Sequence, residues 1–152
     1  LDKIVEHARR NSDKSFSIAL IDIDHFKNIN DTKGHQAGDF VLRQLAEFLK
    51  KSIRPYDLVA RYGGEEFIIL FKDCSRKDSC EILQRIKDAV DHEPYRFQDD
   101  RIHVTFSGGI ADNRELEKGA ASAENLVKIA DERLYRAKEA GRNRIVVETA
   151  DN

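Results

Sequence analysis

The sequence has no methionine and no tryptophan, and it has only two cysteines. Cys74 and Cys80 have no second cysteine pair and no histidine cluster to join, which excludes a disulfide scaffold and a zinc site and indicates reduced thiols. No apolar run approaches the roughly 20 residues of a membrane-spanning helix, and no signal peptide is visible. We therefore expect a cytoplasmic domain, although the sequence leaves open whether the full-length protein is tethered to a membrane.

Charge of one sign is not in excess either. The 26 Lys and Arg residues nearly balance the 28 Asp and Glu residues, for a net charge of −2. This balance argues against a surface built mainly to bind nucleic acid. With 152 residues, of which 40% are hydrophobic, the chain is long enough to bury the core of one domain. Because it starts at Leu1 and lacks methionine, we expect a fragment of a longer protein.

Hydrophobic periodicity predicts alternating helices and strands. The predicted helices lie at about 1–8, between 39 and 53, around 82–90 and at about 122–140. The predicted strands are 16–24, 57–62, 66–71, 95–97, 102–111 and 143–148. A turn region is predicted at 30–39, where glycines follow an Asn-Asp pair, and hairpins at 63–64 and 98–100. Gly141 is predicted to cap the last helix.

After the first helix, the predicted order is β-α-β-β-α-β with an additional α-β. This order is typical of an α+β, ferredoxin-like fold with a mainly antiparallel central sheet. In such a sheet the first and third strands are antiparallel neighbours. The end of the first strand, at Asp22 and Asp24, is therefore expected beside the start of the third, at Glu65 and Glu66.

Carboxylates crowded at one sheet edge repel each other, and burial increases that cost. A divalent cation would relieve it, and a few carboxylates with positions left for phosphate and water are typical of Mg²⁺ rather than Ca²⁺. Gly63 and Gly64, without side chains, would let the hairpin backbone approach a bulky ligand. The alternative is that the glycines only form a turn and the acids are solvated strand ends.

Residues 61–67, RYGGEEF, resemble the signature of the GGDEF domains, the diguanylate cyclases, in its GGEEF form. DIDHFKNIND (22–31), GHQAGD (34–39), SGGIA (107–111) and ADERLYRAKEAGRNR (130–144) resemble further family segments in the family order. The resemblance implies a single GGDEF domain over 1–152. The Asp-x-Leu-Thr-Gly-Leu-x-Asn-Arg segment that usually precedes the first helix is missing, which implies a cut just before Leu1 and an upstream sensor or regulatory domain.

The resemblance implies a chemistry: two GTP molecules are joined into cyclic di-GMP, and two pyrophosphates are released. Mg²⁺ or Mn²⁺ would be held by Asp22, the backbone carbonyl of Ile23 and Glu65. Glu65 would also be the base for the attacking 3′-hydroxyl, with Asp24 and Glu66 as supporting charges. Because one domain holds one GTP, the active form implied is a homodimer.

The resemblance also implies where the substrate phosphates bind. Backbone N–H groups at Phe26 and Lys27, which are predicted to open the turn after the first strand, would cradle phosphates. Lys138 and Arg142, four residues apart and hence expected on one helix face, would hold the triphosphate. Without the resemblance, this Lys and Arg would be interpreted as a solvated basic helix end.

Guanine recognition is implied for Asn30 and Asp39, with His35 expected to line the same pocket. A carboxylate accepts hydrogen bonds from the N1–H and N2–H₂ groups of guanine, which adenine does not offer, and an unpaired buried carboxylate rejects the wrong base. Family members that make mixed GMP–AMP products typically carry Ser where this chain has Asp39. Taken alone, Asn30 and Asp39 would be turn and N-cap residues.

Arg54 and Asp57, in RPYD, match the Arg-x-x-Asp inhibitory site of the family, where cyclic di-GMP binds as product and inhibitor. Arg85 matches a secondary contact of that site. The alternative is a surface Arg-Asp pair after a helix end.

Two other functions compete with an active cyclase. One is a catalytically silent GGDEF module that senses GTP or cyclic di-GMP, although such modules usually break the motifs that are intact here. The other is a nucleic-acid-binding ferredoxin-like domain, which would expose aromatic side chains on a basic sheet face. Phe67 and Phe71 are predicted to be core residues instead, so we expect no nucleic-acid partner.

Overall fold

A computed structural model describes residues 2–10, 14–117 and 122–148. In chain order its helices and strands are α1 (Asp2–Arg10), β1 (Phe16–Ile23), α2 (Phe26–Lys33), α3 (His35–Ser52), β2 (Leu58–Arg61), β3 (Glu66–Lys72), α4 (Arg76–His92), β4 (Tyr95–Phe97), β5 (Asp100–Ile102), β6 (Phe106–Asp112), α5 (Ala123–Glu139) and β7 (Ile145–Val146). None of the helices within these ranges is both long and apolar enough to cross a lipid bilayer.

The central sheet has five strands in the order β2-β3-β1-β6-β7. Every neighbouring pair is antiparallel except β6 and β7, which are parallel. This order confirms the predicted ferredoxin-like βαββαβ core with an additional helix and strand. β4 and β5 form a separate two-stranded ribbon, as the predicted second hairpin requires.

Helices cover both faces of this sheet, so β1 is buried along its whole length. Its side chains alternate between two cores, because successive residues of a strand point to opposite faces. Ala19, Ile21 and Ile23 join a cluster with buried residues of α2, α3 and α4. Ile18 and Leu20 join a cluster with residues of α1 and α5.

The predicted turn region at 30–39 is wrong, because helical structure fills most of it. α2 runs over Phe26–Lys33 and α3 begins at His35, so the chain breaks only at Gly34, which has a φ of +93°. The Asn and Asp residues of α2 are weak helix formers. Burial of Ile29 in the core outweighs that weakness.

The long strand predicted at 102–111 is interrupted. Residues 103–105 leave the β4–β5 ribbon, and β6 begins at Phe106. At this crossing the backbone N–H of Asp24 donates a hydrogen bond to the carbonyl of Thr105, at 2.9 Å. The chain therefore changes sheets next to the end of β1.

Helix α5 packs directly onto the backbone of β6 at Gly109. A Cβ added to Gly109 would lie 2.1 Å from the carbonyl oxygen of Ala130 and 2.5 Å from the nitrogen of Leu134. Atoms other than hydrogen do not approach this closely without a bond, so only glycine permits this helix position. The same contact sets where the C-terminal end of α5 lies.

Candidate active site

The ends of β1 and β3 meet as the topology predicts. Asp22 stands opposite Glu66 in the strand register, and the N–H of Ile23 donates to the carbonyl of Glu65 at 3.2 Å. Asp22 is 6% exposed, and both glutamates are partly buried. Three carboxylates therefore share one edge of the sheet.

Helix α5 brings a cation to this edge. The Nζ of Lys138 lies 3.0 Å from the Oδ2 of Asp22. Burial raises the pKa of Asp22, and the hydrogen bond from Lys138 opposes the rise. Burial and the charge of Asp22 raise the pKa of Glu66. Negative charge at this edge thus exceeds what one ammonium group balances, which favours a further cation.

The donor set fits a metal shared with a ligand rather than a closed metal cage. No cluster of three or more His, Cys, Asp or Glu side chains suited to a metal ion occurs in the described ranges. The donors at this edge are the carboxylates of Asp22 and Glu65 and the carbonyl of Ile23. Mg²⁺ is usually bound by one or two carboxylates plus phosphates and waters, so the residues present are adequate for it.

Asp24 was expected to add a supporting charge, and its charge does contribute to the raised pKa of Asp22, but its carboxylate is also held by hydrogen bonds. Its carboxylate accepts hydrogen bonds from the hydroxyls of Thr105 (2.7 Å) and Ser107 (2.6 Å) and from the N–H of Asn143 (3.0 Å). These bonds tie the end of β1 to the strand crossing and to the segment after α5. Asp24 therefore has a structural role that its position in the sequence did not reveal.

The end of α5 differs in part from the prediction. Gly141 caps the helix as predicted: with a φ of +118°, it donates to the carbonyl of Lys138, and Arg142 donates to that of Ala137, which is the Schellman arrangement. Arg142 thus lies beyond the helix, whereas it was expected on a helix face shared with Lys138. Its positive charge still opposes the rise in the pKa of Asp22, so both cations act on the same carboxylate.

Asn143 holds the segment that carries Arg142, and the sequence reasoning missed it. Its Nδ2 donates to Asp91 at 2.9 Å and its Oδ1 accepts from Lys87 at 3.2 Å, while its backbone is bonded to Asp24. Both partner side chains come from α4. Only the GRNR letters of the family segment could have indicated a role for this residue.

Asn30 and Asp39 are not the turn and N-cap residues of the alternative interpretation. Asn30 lies inside α2 and is partly buried, and Asp39 lies one turn inside α3, whose N-cap is Gly34. His35, at the start of α3, is exposed. A groove of about 510 Å³ begins at Asp39 and runs between α3 and β2 to Phe67, which is large enough for a nucleobase and sugar.

Phe26 and Lys27 form the first turn of α2 and not the predicted turn. Their backbone N–H groups lie at a helix N-terminus, where anions are stabilised. Phe26 is partly buried against the core, and Lys27 is exposed. The structure thus keeps the expected N–H groups next to the end of β1, on a helix.

The β2–β3 hairpin does not need its glycines for an unusual backbone conformation, because neither Gly63 nor Gly64 has a positive φ. A Cβ at Gly63 would lie 2.7 Å from the Oε2 of Glu66, whereas one at Gly64 would meet nothing within 4 Å. Arg61 donates to the carbonyls of both glycines, at 3.3 and 2.6 Å. The surface at Gly64 is therefore open, and the hairpin that carries it is stabilised by the hydrogen bonds from Arg61.

Arg54 and Asp57 form a bidentate pair at the other end of β3. Nε and Nη2 of Arg54 lie 2.8 and 2.9 Å from the two Asp57 oxygens, and the N–H of Lys72 also donates to Asp57. The Asp57 side chain is fully covered, whereas that of Arg54 is 30% exposed. Six residues of strand, roughly 20 Å, separate Lys72 from Glu66. Arg85 lies on the exposed face of α4.

Comparison with known proteins agrees with this geometry. The sequence matches the family described as diguanylate cyclase, GGDEF domain, over residues 1–144. It is 42% identical over 135 residues to diguanylate cyclase A of Treponema denticola, covering 88% of this chain and 35% of that protein. This chain likewise spans only 21% and 33% of the length of two further curated relatives.

Two solved structures share the fold closely. The coiled coil and GGDEF domain of DgcB from Caulobacter crescentus, in complex with c-di-GMP, superimposes with a TM-score of 0.87 at 30% identity, covering 97% of this chain and 78% of that one. The active GGEEF domain of a diguanylate cyclase from Vibrio cholerae gives a TM-score of 0.83 at 30% identity, covering 98% and 92%. The chain therefore belongs to the GGDEF domain family of diguanylate cyclases.

Proposed function

We propose that this domain joins two GTP molecules into cyclic di-GMP and releases two pyrophosphates. The observation that carries the proposal is the meeting of Asp22, Glu65 and Lys138 at one sheet edge, in a chain whose relatives include a named diguanylate cyclase. Phosphoryl transfer needs carboxylates that hold a metal ion, and it needs cations, such as that ion and an ammonium group, that balance the charge of the triphosphate.

Asp22, Glu65 and the carbonyl of Ile23 would hold Mg²⁺ or Mn²⁺. The bound ion would balance charge on the phosphates and lower the pKa of the attacking 3′-hydroxyl. Glu65 accepts the proton of that hydroxyl, since it is the less buried of the two carboxylates and directly follows Gly64, whose surface is open. Asp22, which is almost fully buried at the end of β1, would serve as a metal ligand and not as the base.

The triphosphate lies between α5 and α2 in this proposal. Lys138 and Arg142 approach from the end of α5, and the N–H groups of Phe26 and Lys27 approach from the start of α2. Lys138 leaves Asp22 to meet the phosphates. The open surface over Gly64 leaves room for the nucleotide to lie against the hairpin.

The guanine base lies in the groove that begins at Asp39. The carboxylate of Asp39 and the carboxamide of Asn30 offer acceptors for the N1–H and N2–H₂ groups of guanine, and His35 lies one turn before Asp39 on the same helix. Adenine lacks these donors, so it would leave the carboxylate unpaired. GTP is therefore the proposed substrate.

The proposed active form is a homodimer, because the reaction joins two nucleotides and each domain has one such site. An upstream sensor or regulatory domain would bring two copies together, and GTP as substrate places the domain in the cytoplasm.

The proposal is tested by fusing the domain to a dimerising coiled coil and incubating it with GTP and Mg²⁺. Chromatography should show cyclic di-GMP from GTP, no product in EDTA, and no cyclic di-AMP when ATP replaces GTP. Absence of product while the domain still binds cyclic di-GMP would contradict catalysis and leave a silent receptor.

Replacing Arg54 by Ala should relieve inhibition by cyclic di-GMP. The guanidinium is oriented by Asp57 and partly exposed, so it can grip a phosphate or a guanine edge. Loss of such a charged bond should raise the inhibiting concentration by about tenfold or more. Titration of the cyclase reaction with cyclic di-GMP measures this change.

Because Asp57 loses its partner in the Arg54→Ala variant, the melting temperature of that variant is measured as well. Arg85→Ala serves as the matched variant, since its exposed side chain can be removed without exposing a buried acid. Inhibition at the parent's concentration in both variants would show that neither arginine contributes to an inhibitory site.

A further inference from the structure

We propose that Gly38 is a specificity-determining residue, because its missing side chain gives Asn30 its place beside Asp39. A Cβ built on Gly38 would lie 1.9 Å from the Oδ1 of Asn30 and 3.0 Å from its Cγ. The carboxamide of Asn30 therefore fills the space that any other residue at position 38 would take. This inference rests on the proposed function, in which Asn30 and Asp39 recognise the base.

The packing of α2 on α3 explains why the contact is so close. One residue, Gly34, joins the two helices, and its N–H donates to the carbonyl of Asn30 at 2.9 Å. Gly38 is buried in the first turns of α3. The side chain of Asn30 consequently rests on the backbone of α3, one residue before Asp39.

A Cβ at position 38 would be crowded from a second side as well. The Cζ of Phe26 lies 3.2 Å from the same Cβ position, so the added group could not avoid Asn30 by shifting toward Phe26. An added methyl group would force the carboxamide away from α3. The base contacts would then be lost, whereas Lys138 in α5 and Arg142 just after it would still bind the triphosphate.

A purely structural role would have a different signature. If Gly38 only lets two helices pack, Gly38→Ala weakens the fold and the binding of every nucleotide alike. If Gly38 acts through Asn30, the substitution changes the preference for guanine over adenine. It should also have little further effect once Asn30 has been removed.

The experiment is a double-mutant cycle of Gly38→Ala and Asn30→Ala, read by binding and not by turnover. The probes are the GTP and ATP analogues with a methylene bridge between the α- and β-phosphates, titrated with Mg²⁺ by calorimetry. Gln36→Ala, an exposed change in the same turn of α3, is the matched control. Melting temperatures are recorded for all variants.

We expect Gly38→Ala to lower the preference for the GTP analogue by about tenfold and Gln36→Ala to leave it unchanged. In the Asn30→Ala background, Gly38→Ala should change the preference and the melting temperature much less than it does in the parent. If Gly38→Ala alone does not fold, recovery of folding in the double variant tests the same contact.

Equal losses of both analogues, or additive effects in the cycle, would overturn the role of Gly38 and leave the proposed function intact. If the parent bound neither analogue, both the role of Gly38 and the proposed function would be overturned.

Discussion

Glu65→Gln should lower cyclic di-GMP synthesis by about 10³-fold in the dimerised domain, within the range known for loss of a general base. The amide keeps the size of the side chain but can neither accept the proton of the 3′-hydroxyl nor supply negative charge to a metal. The fold should persist, because the bond between strands at this position uses the backbone carbonyl of Glu65. Cyclic di-GMP formation is followed by chromatography, and Mn²⁺ binding by paramagnetic resonance should weaken as well.

Glu132→Gln provides the matched control, since it makes the same chemical change on the exposed surface of α5. It should leave synthesis unchanged. Parent-like synthesis by Glu65→Gln would show that the base and the metal donors lie elsewhere, and the proposed assignment of Glu65 would then have to be abandoned.

Gly109→Ala should destabilise the domain by about 3 kcal/mol, at the upper end of the usual cost of overpacking. The new methyl group would lie 2.1 Å from the carbonyl oxygen of Ala130, and a helix backbone cannot rotate away as a side chain can. For a domain of this size, the melting temperature should fall by on the order of 6–12 °C. Circular dichroism during heating measures the change.

Gly64→Ala is the matched comparison, because it adds the same methyl group where nothing lies within 4 Å. Its melting temperature should stay within about 2 °C of the parent value. If the two variants melted alike, the close approach of α5 to β6 would not be a determinant of stability.

The order of strands could be predicted from the sequence, because burial on both faces gives β1 a continuous apolar run and the RYGGEEF segment marks a hairpin. Strand order alone then places Asp22 next to Glu66. This juxtaposition is a consequence of topology and needs no knowledge of side-chain positions.

Other parts of the site depend on contacts that the local sequence does not encode. α2 contains Asn and Asp residues with weak helix propensity, and it forms because Ile29 is buried by distant elements. Asp24 has the same local pattern as Asp22, yet its partners, Thr105 and Asn143, lie about 80 to 120 residues away. Arg142 leaves the helix because Gly141 ends it, so its helical spacing from Lys138 was misleading.

The ion pair between Lys138 and Asp22 also constrains the order in which ligands arrive. In this structure the ammonium group occupies one oxygen of the carboxylate, so a free metal ion has to compete with a tethered cation that never diffuses away. A metal ion that arrives already bound to a nucleotide triphosphate offers the displaced ammonium group new oxygens in the same event. On the proposed function, the domain would therefore discriminate between free and nucleotide-bound metal ions, and the metal ion would enter together with the nucleotide.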